Sequence, residues 1–175
     1  MSPRGFDEKV LPHLDAAFNY ARWLTRNDGE AEDVVQDACV RAMRFFPSLR
    51  DDDARAWLLA IVRNAWYSRL SRRTSAAADI VPLNSAIDVR ADESLDPEAL
   101  MLQQHAVRDV RDALAQLPVD FREVIVLREI EGCSYKEIAA VVKVPIGTVM
   151  SRLARARERL LAALKRSALR MEETP

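Results

Sequence analysis

The chain has 175 residues, a length that suits one domain or two small ones, and its 49% hydrophobic content is enough for ordinary cores. Because the formal net charge is −1, the protein as a whole is not a polycation, and any affinity for nucleic acid must come from local basic patches. There is no signal peptide and no long apolar run, so we expect a soluble cytoplasmic protein without direct membrane insertion.

Residues 11–73 have a helical pattern. Asn27 followed by Glu30 fits a capping box, which predicts a helix start, and Pro47 should end that helix. The three aspartates at 51–53 are predicted to cap a further helix, because acids at a helix start suit both the free amides and the helix dipole.

The composition changes after this region. Residues 74–95 are small and acidic, contain Pro82 and have no sustained period, so they are interpreted as a flexible linker. Asp96 as the cap and Pro97 in the first turn predict the start of another helix.

One further helix should follow this one before residue 133. Leu117 and Pro118 end the first helix after the linker, Asp120 with Glu123 is predicted to cap the next, and Gly132 to close it. No β-strand pattern competes. The sequence therefore predicts an all-α fold of two small helical domains on a flexible tether.

The segment 133–157 is typical of two short helices joined by a tight turn. Ser134 and Glu137 form a capping box, residues 144–148 break the apolar period, and a second helix follows. That helix has an apolar seam, and its opposite face carries Ser151, Arg152, Arg155 and Arg159. Arginines alone more often mark a solvated face. The capped helix, the turn and the second helix together favour binding in a DNA major groove.

Charge is unevenly distributed along the chain. Between residues 145 and 170 there are seven basic residues and one acid, a net charge of +6, whereas residues 76–98 carry six acids and one arginine, a net charge of −5. A basic end and an acidic middle indicate a nucleic-acid surface and a separate connecting segment.

Several stretches match the motifs of one family in the same order and spacing. In the first domain they are Glu32-Asp33-Val34-Val35-Gln36-Asp37, Phe46-Pro47-Ser48-Leu49-Arg50 and the segment from Trp57 to Asn64. In the second they are Leu117-Pro118, Arg122-Glu123-Val124, Leu127-Arg128, Gly132, Ser134-Tyr135, Glu137-Ile138-Ala139, Pro145 to Val149 and Ser151 to Arg157. On these motifs the chain resembles the extracytoplasmic-function (ECF) sigma factors of bacterial RNA polymerase, in the sigma-70 family.

The resemblance implies a sigma-2 domain at residues 1–73, which binds core polymerase and opens and reads the −10 promoter element, a linker at 74–95, and a sigma-4 domain at 96–172, whose helix-turn-helix reads the −35 element. It further implies contacts with the β′ clamp helices and the β flap of the polymerase, and control by an anti-sigma factor. It implies no catalysis, no cofactor and no metal.

The family match also implies residue roles in the first domain. Asp33, Gln36 and Asp37 lie on one side of a helix, at positions that face the β′ clamp helices in the family; a solvated acidic face is the alternative. Asn64 matches a position in a loop that captures an unstacked −10 base, with a helix C-terminal asparagine as the alternative. Phosphate contacts are expected from Arg63, Arg69, Arg72 and Arg73.

In the second domain Arg152 and Arg155 are the candidates for groove contact, with Ser151 beside them, and Arg128 matches a position that touches DNA in the family. Lys143 stands where a turn glycine is usual, which predicts a strained or reshaped turn. Met150 replaces a frequent Lys or Arg, which removes one phosphate contact.

Two other classes of function fit the sequence less well. A DNA-binding regulator with its own sensory domain explains the second domain equally well but not the first, which has no ligand-pocket or phosphoacceptor signature. An enzyme is disfavoured because His13 and His105 are isolated and no glycine-rich loop could cradle a phosphate. Cys39 and Cys133 have no metal-ligand spacing and are expected to be buried, reduced thiols.

Overall fold

The computed structural model describes residues 3–50, 53–75 and 97–172. Across these ranges the chain is helical with no β-strand, which confirms the all-α fold class. The α-helices in these ranges are α1 (Pro3–Val10), α2 (Leu14–Thr25), α3 (Asp28–Phe45), α4 (Ala54–Ser75), α5 (Pro97–Ala115), α6 (Val119–Ile125), α7 (Tyr135–Val142) and α8 (Ile146–Glu172). None of them is long and apolar enough to span a membrane.

The first domain is built from α2, α3 and α4, which pack against one another, with α1 against α4. The start of α3 is as predicted, because the Asn27 side chain accepts a hydrogen bond from the Glu30 amide at 2.9 Å. The carboxylate of Glu30 pairs instead with Arg73, at 2.5 Å. Pro47 lies in the 3₁₀ turn that directly follows α3, which confirms the predicted helix end.

The predicted boundary between domain and linker falls close to the end of a helix. Helix α4 continues to Ser75, and α5 begins at Pro97, the residue expected in its first turn. Apart from its first two residues, the predicted linker 74–95 lies outside the described residues, as do the predicted caps Asp51, Asp52 and Asp96.

The second domain is organised around α8, against which α5, α6 and α7 all pack. The predicted capping box at α7 is present in both directions: Ser134 Oγ accepts from the Glu137 amide at 3.2 Å, and Glu137 Oε2 accepts from the Ser134 amide at 2.6 Å. Between α6 and α7, residues Val126–Ile130 form a π-helical turn that ends near Gly132, whose φ is +65°.

The predicted cap at the start of α6 is wrong. Helix α6 begins after Pro118, and no side chain caps it. Asp120 pairs with Arg152 of α8 at 3.3 Å. Glu123 is buried and is directed at the first domain, because its carboxylate has stronger partners there than an exposed helix start could provide.

The two domains also share one core. Helix α4 packs against α7, α2 contacts α6, and a single cluster of buried apolar residues runs from Val10 in α1 to Ala156 in α8. The sequence predicted two separate modules, and their contact is a finding of the structure.

The turn of the helix-turn-helix is held in a left-handed conformation. Lys143 has φ +57° and ψ +46°, and its amide donates to the Ala139 carbonyl. A side chain in this region costs about 1–2 kcal/mol relative to the right-handed region, a penalty that glycine lacks. The expected strain at Lys143 is therefore present, and the turn keeps its glycine-type geometry.

We predict that Lys143→Gly raises the free energy of unfolding by about 1 kcal/mol, because glycine adopts the left-handed conformation without a Cβ clash. Chemical denaturation of wild type and variant measures the difference. Lys143→Ala is the control, since it removes the same charge but keeps Cβ. A glycine variant no more stable than the alanine variant would show that the turn is not strained.

Candidate polymerase and DNA interfaces

Glu123 of α6 is the centre of the contact between the two domains. Its side chain is fully buried and accepts hydrogen bonds from three residues of the first domain. Arg63 Nε donates to Oε1 at 2.8 Å and Arg63 Nη2 to Oε2 at 3.2 Å, so the pair is bidentate. Tyr20 donates its hydroxyl to Oε1 at 3.1 Å, and Tyr67 donates to Oε2 at 3.4 Å. Both carboxylate oxygens are thus satisfied from α2 and α4.

The electrostatics of this cluster follow from its burial. Burial, followed by the negative charge of Glu123, raises the pKa of Tyr20 well above its usual value and also raises that of Tyr67. Burial alone would lower the pKa of Arg63, but the hydrogen bond and charge of Glu123 raise it overall. The Arg63 guanidinium also lies 4.5 Å from the centre of the Tyr67 ring. At neutral pH both tyrosines therefore stay neutral and Arg63 stays charged, because each of these pKa values is raised.

A second polar contact lies at the other end of the interface. Arg55 of α4 donates to the Glu131 carbonyl at 2.9 Å and to Glu137 Oε1 at 3.3 Å, and it lies 3.7 Å from Cys133 Sγ. Burial raises the pKa of the Cys133 thiol to about 11. Cys133 is buried as predicted, whereas Cys39 is only half-buried, because it lies on the rim of α3 and not in its buried stripe.

The predicted polymerase-facing residues are exposed or half-exposed on α3, and two of them already have a partner. Arg69 of α4 donates to Asp37 at 2.9 Å and to Asp33 at 3.0 Å. Gln36 lies between them in sequence and is exposed. The structure thus brings a predicted phosphate-binding arginine against two predicted polymerase-binding acids.

The other predicted DNA contacts of the first domain all lie on α4. Arg63 is held by Glu123, Arg73 by Glu30, and Arg72 Nε donates to the Ser68 carbonyl at 3.2 Å. Asn64 lies ten residues inside this helix, so its placement in a loop is wrong, and so is the alternative of a helix C-terminus. The family match did not predict the helical conformation around Asn64.

The helix-turn-helix presents the predicted face of α8. Val149, Leu153 and Ala156 are buried, while Ser151 and Arg155 are exposed. Ser151 donates its hydroxyl to the Thr148 carbonyl at 3.0 Å.

The arginines of this region differ in their partners. Arg152 pairs with Asp120 at 3.3 Å, Arg157 pairs with Glu129 at 2.6 Å, and Arg159 lies over the Phe121 ring. Arg155 makes no hydrogen bond or ion pair within the described part of the chain. Arg128 donates to the Cys133 carbonyl at 2.9 Å and lies over the Tyr135 ring, a structural role beside the predicted one.

Sequence reasoning missed Glu123 and Arg55 as interface residues. One signal was available for Glu123: it directly precedes the apolar run Val124–Leu127, and an acid that is buried beside such a run needs a cationic partner. Nothing local identified Arg55, whose partners are more than 70 residues away. In the described ranges no group of three or more His, Cys, Asp or Glu could hold a metal ion.

We predict that Glu123→Gln separates the domains, because a neutral amide leaves the largely buried Arg63 side chain without a counter-charge, and breaking a buried ion pair costs about 3–5 kcal/mol. Small-angle scattering should show a larger radius of gyration, at unchanged helix content by circular dichroism. Glu129→Gln is the matched control, since it removes an exposed pair within the second domain. An unchanged radius for Glu123→Gln would mean that the apolar contact alone holds the domains together.

Comparisons with known proteins agree with this architecture. Residues 10–76 match the family model for sigma-70 region 2, and residues 108–160 match that for sigma-70 region 4. The chain is 35% identical over 168 residues to the RNA polymerase sigma-H factor of Pseudomonas aeruginosa, covering 93% of this chain and 87% of that protein. It is 39% identical over 136 residues to the ECF RNA polymerase sigma-E factor of Escherichia coli K12, covering 74% and 71%.

A further relative is longer than this chain. The ECF RNA polymerase sigma factor SigE of Mycolicibacterium smegmatis is 33% identical over 155 residues, and the match covers 89% of this chain but only 60% of that protein.

Two solved structures resemble this chain over most of its length. The sigma factor RpoE of Bartonella quintana, in complex with the anti-sigma factor NepR, superposes with a TM-score of 0.77 at 32% identity, covering 93% of this chain and 98% of that one. CnrH, in complex with the cytosolic domain of CnrY, superposes with a TM-score of 0.64 at 29% identity, covering 94% and 90%. With both regions in order and relatives this similar across most of its length, the chain belongs to the ECF sigma factors of the sigma-70 family.

Proposed function

We propose that this protein binds core RNA polymerase and directs it to promoters that carry a −10 and a −35 element. The observation that carries the proposal is the presence of both sigma regions in one chain, each with its own surface of charged residues. Control by an anti-sigma factor is part of the proposal, because RpoE, which is 32% identical to this chain, is bound to one in the solved structure.

Reconstitution tests this function directly. Purified protein and core polymerase are combined on genomic fragments, and run-off transcripts are mapped. Transcripts that depend on the protein support the proposal. The rival, a DNA-binding regulator with its own sensory domain, predicts specific binding of duplex DNA without polymerase and no dependence of initiation on this chain.

The contacts in the free protein suggest how binding proceeds. Arg63 uses two of its donors, Nε and Nη2, for Glu123, and its side chain is only 17% exposed, so we expect the domains to separate before that arginine reaches DNA. Arg69 is shared between Asp33 and Asp37. If polymerase binds Asp33 and Asp37, Arg69 becomes available to the promoter. Breaking exposed ion pairs of this kind costs little free energy.

In the second domain we assign the −35 reading to the exposed face of α8. Arg155 is the candidate for a bidentate contact with guanine, because its guanidinium is uncommitted and lies opposite the buried seam. Arg152, held by Asp120, is better placed to contact the backbone beside the groove. Asn64, on α4, remains a candidate for capture of a −10 base.

We predict that Asp33→Lys and Gln36→Ala each weaken assembly with core polymerase while the fold survives. Both side chains are exposed, and the pair of Asp33 with Arg69 contributes at most about 1 kcal/mol to stability. Equilibrium binding to labelled core polymerase measures the loss. The control is Asp15→Lys, the same charge reversal at an exposed site on α2. Wild-type affinity for both α3 variants would contradict the assigned face.

We predict that Arg155→Ala flattens the base preference at one or two −35 positions, since a bidentate arginine–guanine contact is worth about 1–3 kcal/mol of discrimination. Arg166→Ala, further along α8, should cause at most a uniform, salt-sensitive loss. Holoenzyme transcription from a −35 library compares them. An equal loss by Arg155→Ala across all −35 variants would identify Arg155 as a phosphate contact.

A further inference from the structure

The groove-facing side of α8 carries a large apolar side chain among its polar ones. Met150 lies five residues into the helix, and 54% of it is exposed. Ala154 follows one turn later and is also exposed, as is Ser151. The N-terminal residues of a recognition helix are those that reach base edges, so Met150 is at the depth where bases are read.

The two polar side chains that follow Met150 are bonded to other groups of the protein. Ser151 donates its hydroxyl to the Thr148 carbonyl, and Arg152 forms an ion pair with Asp120. Further along, Arg157 is paired with Glu129. The first two turns of α8 therefore offer bases a thioether side chain, and the third turn offers the uncommitted guanidinium of Arg155.

The chemistry of the major groove limits what a methionine can recognise there. Base edges present nitrogen and oxygen donors and acceptors, and the one apolar group among them is the C5-methyl of thymine. Methionine is flexible and polarizable, and it packs well into irregular apolar gaps. Placed against a carbonyl or an amino edge it would remove that group from water without a hydrogen bond, which is unfavourable.

We infer that Met150 contacts the methyl group of a thymine in the −35 element, so that the holoenzyme prefers an A·T pair in one orientation at that position. This inference rests on the proposed function. It assigns to Met150 a sequence-reading role, where the sequence alone indicated only the loss of a phosphate contact.

Replacement of thymine by deoxyuracil tests the contact, because it removes only the methyl group. A −35 library first selects an active promoter for the wild-type holoenzyme. Each thymine of the selected element is then replaced in turn on either strand, and initial run-off rates are compared. The variants are Met150→Ser and, as a matched control, Met101→Ser, which removes a 61% exposed methionine of α5 outside the helix-turn-helix.

For the wild type we expect one position, or two adjacent ones, at which deoxyuracil lowers the rate by about fourfold, the equivalent of about 0.8 kcal/mol for one buried apolar carbon. Met150→Ser should transcribe equally from the thymine and deoxyuracil templates at that position, and Met101→Ser should behave as wild type.

Several outcomes would overturn the inference. A selected −35 element without a thymine preference, a wild type that tolerates every replacement, or a Met150→Ser variant that still discriminates would each do so, while transcription itself continues to support the proposed function. A wild type that supports no transcription would overturn the proposed function and this inference with it. Because Met150 is exposed, circular dichroism should show an intact fold for its variant.

Discussion

The buried carboxylate of Glu123 is the group on which the arrangement of the two domains depends. A charge removed from water is tolerated only when it is paired and hydrogen-bonded, and all its hydrogen-bond donors come from α2 and α4 of the other domain. The second domain alone would leave this carboxylate at its surface. The apolar surfaces around it can pack in many ways, whereas a bidentate ion pair fixes one orientation.

In this arrangement the two candidate DNA surfaces differ in how accessible their basic side chains are. The exposed face of α8, with Arg155 and Met150, remains open to a duplex in the closed protein. The basic residues of α4 are engaged by carboxylates or carbonyls, so that surface is largely neutralised. Because the net charge is −1 and the candidate DNA-binding arginines of α4 are bonded to groups of the protein, we expect the free protein to have little nonspecific affinity for DNA.

Local signals in the sequence predicted the helices well and their mutual contacts poorly. The Ser134 cap and the stop at Pro47 were correct, because each depends on neighbours within four residues. The Asp120–Glu123 cap failed although its spacing is the same as that of Ser134 and Glu137, since a distant arginine outcompeted the local amide. The pairing of Arg69 with Asp33 and Asp37 joins residues 36 and 32 positions apart, which no periodicity encodes.

The position of Cys133 has a practical consequence. Its sulfur lies beneath Arg55 of the other domain, and burial holds its pKa near 11, so almost no reactive thiolate is present in the closed protein. If the domains part as proposed, Arg55 leaves and water gains access to Cys133. An alkylating reagent should therefore modify Cys133 at a rate that reports how often the domains open. Mass spectrometry measures this rate, the half-buried Cys39 serves as the internal reference, and no engineered label is needed.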